Sequence, residues 1–110
     1  MWVFTTSGFL SAVYKDGALQ VRARDRKSLD SLAKETNSSI IATPLADYPY
    51  RIAITNEQFS NWLSQQALAI NYKNFKSEVT ETLGYGFAKP LNRVWSVMHE
   101  VEDEQARVRN

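Results

Sequence analysis

Apolar and polar residues alternate through Leu10 to Arg24, "LSAVYKDGALQVRAR", on both sides of Asp16-Gly17. Asp-Gly suits a two-residue hairpin loop in which both central residues take positive φ. Such a loop pairs Lys15 with Ala18, Tyr14 with Leu19, Ala12 with Val21 and Leu10 with Ala23. Opposed side chains share a face, so Leu10, Ala12, Tyr14, Leu19, Val21 and Ala23 form a core face. The period of two puts Phe9 opposite Arg24, Ser11 opposite Arg22 and Val13 opposite Gln20 on the wet face. The preceding "MWVFTTSG" also reads as strand. Gly8 is a bulge position that interrupts the register before Trp2 and Phe4, which are assigned to the core.

The pattern then switches to helical spacing. Asp25 is placed to cap a short helix carrying Leu29, Leu32 and Ala33, with Asn37 as its stop. "SSIIATP" gives a strand ended by Pro44, and "YPYRIAIT" another with Tyr50, Ile52 and Ile54 on one face. Thr55 and Gln58 fit a capping box ahead of the stripe Phe59, Trp62, Leu63, Gln66, Ala67 and Ile70. "NYKNFKSEVTETL" places Phe75, Val79 and Leu83 on one side of a helix that Gly84 and Gly86 break. Pro90 suits the first turn of a last helix bearing Leu91, Val94, Trp95, Met98 and Val101. The order β-β-α-β-β-α-α-α predicts an α+β fold: one antiparallel sheet of about four strands with helices packed on one face.

Composition narrows the class. The 110 residues are 44% hydrophobic and 23% charged, in the range of ordinary folded chains, and their length fits one domain. The expected domain spans residues 1–105, followed by a polar tail at 106–110. A net charge of +1 gives no overall basic footprint for nucleic acid, but Lys15, Arg22, Arg24, Arg26 and Lys27 crowd the first quarter. Glu100, Glu102, Asp103 and Glu104 crowd the end. The absence of cysteine excludes disulfide scaffolds, thiolate metal sites and cysteine nucleophiles, and fits a cytoplasmic chain. No signal-peptide pattern and no run of about 18 apolar residues occurs, so no membrane association is expected.

Candidate chemistry is sparse. His99 is the lone histidine, and it stands among carboxylates that read as a solvated helix end. No nucleophile elbow or serine-histidine pairing is present, and "GYGF" follows a helix instead of a strand, which is the wrong context for a nucleotide fingerprint. No catalytic, cofactor or metal site is expected. Two surfaces remain. Tyr48, Tyr72, Lys73 and Lys76 have the amphipathic make-up enriched at protein contacts. Phe9 with Arg22, Arg24, Arg26 and Lys27 combines a stacking surface with guanidinium donors, as single-stranded nucleic-acid platforms do. The basic segment itself lacks aromatics, and a cation–π pair between Phe9 and Arg24 accounts for the same residues without a ligand.

The segments "MWVFTTSGFLSAV", "LQVRARD", "ADYPYRIAI", "INYKNFKSEV" and "RVWSVM" together resemble a small bacterial and bacteriophage family of about this length. The resemblance covers nearly the whole chain and implies an intracellular, single-domain protein. It transfers no ligand or catalytic residue. Family members favour proline where this chain has Lys73, so the turn there is altered. The sequence expectation is a non-enzymatic binding or regulatory protein acting on another protein, with a phage or other mobile element as one source that fits the resemblance. The alternative is a nucleic-acid-binding module using the basic hairpin, and homodimerisation is a further option.

Overall fold

In the computed structural model, residues 1–109 are described. Five strands form one antiparallel sheet: β1 (Trp2–Thr5), β2 (Gly8–Lys15), β3 (Ala18–Ala23), β4 (Ile41–Ala42) and β5 (Tyr50–Ile54), in the order β1-β2-β3-β5-β4. The helices among the described residues are α1 (Lys27–Thr36), α2 (Asn56–Leu68), α3 (Phe75–Leu83), α4 (Tyr85–Met98) and α5 (Glu100–Arg109). The α+β class and the single antiparallel sheet agree with the pattern, with one strand more. None of these helices is long and apolar enough to cross a membrane.

The Asp16-Gly17 turn takes positive φ at both residues, 55° and 78°, and sets the register from Lys15 opposite Ala18 to Ser11 opposite Arg22. Leu10, Ala12, Leu19, Val21 and Ala23 are accordingly buried, together with Ile52 and Ile54 of β5. Leu29 and Leu32 of α1 and Phe59 and Trp62 of α2 close over this face. The Trp62 indole N–H donates to Ser31 Oγ at 3.0 Å, so the largest core side chain is also satisfied as a donor. Tyr14 departs from the expectation: it has the core parity but is exposed. It stands at the turn end, bordering an open cavity of about 360 Å³ shared with Leu19, Ile54 and Gln58.

The first strand turns back on itself. Thr5 pairs with Gly8 and Trp2 with Ser11, so Thr6 and Ser7 form a tight connection and Gly8 starts β2 instead of bulging it. A Cβ at Gly8 would lie 2.0 Å from Ser28 Oγ, so the absent side chain lets α1 sit against the hairpin. Ser28 Oγ accepts from the Phe9 N–H and donates to Asp25 Oδ1. Asp25 therefore does not cap α1; Arg26 occupies the N-cap without a side-chain bond. Asn37 ends that helix in the left-handed region, as expected, and the Thr55–Gln58 capping box is complete. On the α2 stripe, Ala67 in the last turn is exposed, and so is Ile70, which lies past the helix end at Leu68.

The chain divides into two compact units, Met1–Asn71 and Tyr72–Asn110. In the second, the Asn74 side chain caps α3, whose Val79 is buried, with Phe75 and Leu83 half-buried. Gly84 ends α3 and opens α4, which begins five residues ahead of Pro90 and contains it. The proline is tolerated there because the carbonyl it leaves unbonded, that of Gly86, lies in the helix's first turn, on an exposed glycine with open space around it. Ala88 and Leu91 are buried. Helix α5 covers residues 106–109 of the expected tail, and position 110 lies outside the described residues.

Candidate functional site

Helices α1 and α2 pack on one face of the sheet, and residues of opposite parity gather on the other. Four register pairs run straight across it: Trp2 opposite Ser11, Ser11 opposite Arg22, Arg22 opposite Arg51, and Arg51 opposite Ile41. Neighbouring strands lie about 4.8 Å apart, so this is a continuous row of side chains. Phe4 pairs with Phe9 in the next row. Trp2 and Phe4 are thus not core: Trp2 is 71% exposed.

Aromatic rings tile one end of this face. Phe4 stacks on Phe9 with centroids 4.6 Å apart, and Trp2 meets Phe9 edge-on at 5.9 Å. Tyr48, in the loop before β5, continues the group at 6.5 Å from Phe9. Its side chain is only 8% exposed because two guanidinium groups lie over it. Arg22 Cζ and Arg24 Cζ each sit 4.5 Å from the Tyr48 centroid. The expected pairing of Arg24 with Phe9 is thus replaced by a double cation–π contact on Tyr48.

The arginines are held in different ways. Arg24 Nη1 donates to Asp47 Oδ1 at 2.9 Å and to the Asp47 carbonyl at 3.0 Å. The hydrogen bond to Asp47 raises the Arg24 pKa further above its already high value, so its charge is permanent. Arg22 Nη2 donates to Ser11 Oγ at 2.8 Å. The Nε atoms of Arg22 and Arg51 are buried and have no hydrogen-bond partner among the described residues. Buried N–H donors are normally paired, and these two unpaired ones stand in adjacent positions of one row, closed off from solvent. Three guanidinium groups against the one carboxylate of Asp47 leave this face cationic.

The sequence candidates divide accordingly. Phe9, Arg22 and Arg24 converge on the sheet face. Arg26 and Lys27 are exposed at the start of α1, the helix on the opposite face. Tyr48 joins the arginines in the first unit. Tyr72, Lys73 and Lys76 belong to the second, where Tyr72 is 6.0 Å from Phe75 and Lys76 Nζ lies 4.2 Å above the Trp95 ring. Trp2, Phe4 and Arg51 were missed. Arg51 was accessible by parity, as the residue alternating with Tyr50 and Ile52. Trp2 and Phe4 required the Thr6-Ser7 turn, which carries no Asn-Gly or Asp-Gly signal. Among the described residues no three histidine or carboxylate side chains gather into a metal-binding cluster. No family model, curated protein or solved structure matches this chain.

Proposed function

We propose that the chain is a non-catalytic module that binds single-stranded nucleic acid on the open face of its sheet. The observation that carries the reading is the row Trp2–Ser11–Arg22–Arg51 with Phe4, Phe9 and Tyr48 beside it. Single strands offer unstacked bases and a phosphate acceptor at every step. Aromatic side chains take the former at about 1–3 kcal/mol per base, and guanidinium groups take the latter. Among these rings Trp2 has most free surface, at 71% exposed, and Arg22 and Arg51 stand side by side in the row beside them.

This reverses the order of the two sequence expectations. The basic segment "QVRARDRK" lacks aromatics, which favours a protein partner when it is read alone. The rings come instead from β1 and the Tyr48 loop. The cationic residues of the platform are then Arg22, Arg24 and Arg51, with Arg26 and Lys27 outside it. Duplex binding is not favoured, because the net charge of +1 is too small for an extended phosphate track.

The test is fluorescence anisotropy of short labelled RNA and DNA strands, single and annealed, titrated with the full chain at several salt concentrations. Single strands should bind in preference to duplex, with log K falling against log salt at about 0.7 per phosphate engaged, a slope near −2 for three arginines. Arg51→Ala should flatten that slope by roughly one such step. No anisotropy change at low salt, or equal binding by Trp2→Ala and Arg51→Ala, would end the proposal.

A further inference from the structure

The second unit carries a surface that the nucleic-acid reading does not use. Along α4 and into α5, Val94, Trp95, Val97, Met98 and Val101 are all exposed, Trp95 and Met98 by 57% each. At about 100° per residue, Val94, Val97, Met98 and Val101 line one stripe, and His99, whose φ and ψ are helical, carries it from one helix to the next. Trp95 sits at its border, held edge-on by His99 at 4.7 Å and under Lys76. A continuous apolar stripe of this kind on a small chain marks a contact surface.

Charge along the same helices identifies the occupant. Helix α4 contains Lys89 and Arg93 and no acidic residue, while the first half of α5 contains Glu100, Glu102, Asp103 and Glu104. The basic and acidic segments therefore lie at opposite ends of the stripe. We infer that the α4–α5 stripe is a homodimer interface, in which two copies pack antiparallel about a two-fold axis between Val97 and Met98. That axis sets Val94 against Val101 of the other copy and Val97 against its Met98. Each Arg93 then comes level with the acidic run of the other α5. Parallel packing would instead set acid against acid, so the charges select one orientation. Such an interface is self-complementary, with apolar meeting apolar and opposite charges meeting at both ends.

The experiment is light scattering coupled to size-exclusion chromatography of the full chain over a wide concentration range. The mass should rise from 12.6 kDa towards twice that value as concentration increases. Met98→Asp and, independently, Val101→Asp should hold the mass at one chain, with unchanged circular dichroism because both side chains are in solvent in the single chain. Arg93→Glu should weaken association at least tenfold in low salt and less in high salt. A single-chain mass at every concentration would overturn the inference. So would dimers of Met98→Asp and Val101→Asp as strong as the parent's. Neither outcome bears on oligonucleotide binding, which reads a separate surface.

Discussion

Gly8 decides how near α1 comes to the first two hairpins. Its φ of 139° and the 2.0 Å separation of a built Cβ from Ser28 Oγ combine backbone strain with a collision against a fixed helix residue. Gly8→Ala should therefore lower stability by about 2–4 kcal/mol, measured by urea unfolding. Ser28→Ala removes the acceptor of the Phe9 N–H and the donor to Asp25 together, and should cost about 1–3 kcal/mol in the same assay. Trp2→Ala belongs to the other face. It should leave unfolding nearly unchanged while weakening oligonucleotide binding by about 1–3 kcal/mol. Gly8 shows how far single residues can be read. The sequence marks it as special, but only the packing of α1 reveals that the reason is a close approach and not a bulge.

At the scale of elements, legibility followed the strength of local chemistry. The Asp16-Gly17 hairpin and the Thr55–Gln58 capping box were readable because each is complete within a few residues. Thr55→Ala should confirm the second with a loss of about 1 kcal/mol in thermal or denaturant unfolding. The β1–β2 connection was not readable, because Thr6-Ser7 has no turn signature and its pairing is decided by where Val3 packs against the core. Helix α4 starts ahead of the point that a first-turn proline predicts. Tertiary burial of Ala88 and Leu91 extends the helix backwards through it. Pro90→Ala restores a donor to the Gly86 carbonyl, and should raise stability by about 1–3 kcal/mol.

On the scale of the whole molecule, the two units differ in what holds them. All members of the main core cluster, from Leu10 to Trp62, lie within Met1–Asn71. A fragment of residues 1–71 should thus unfold cooperatively and keep the oligonucleotide affinity of the full chain, as calorimetry and anisotropy would report. Among the described residues of the second unit the buried apolar side chains are Val79, Ala88 and Leu91, a much smaller core than that of the first. The candidate site was half legible for a related reason. Period-two alternation places Arg22 and Arg24 on a common face, but the Tyr48 ring reaches them from a loop, and loop trajectories leave no periodic trace.

Gly84 joins α3 to α4 with no spare residue. Its N–H donates to the Thr80 carbonyl and its own carbonyl accepts from the Ala88 N–H, so one residue terminates one helix and starts the next. Helices usually fray from their ends, yet here two ends are tied in one knot. Amide exchange should consequently be slow at Gly84 and Ala88, whose N–H groups close this joint, and fast at Tyr85, Gly86 and Phe87, whose N–H groups open α4 without a side-chain cap.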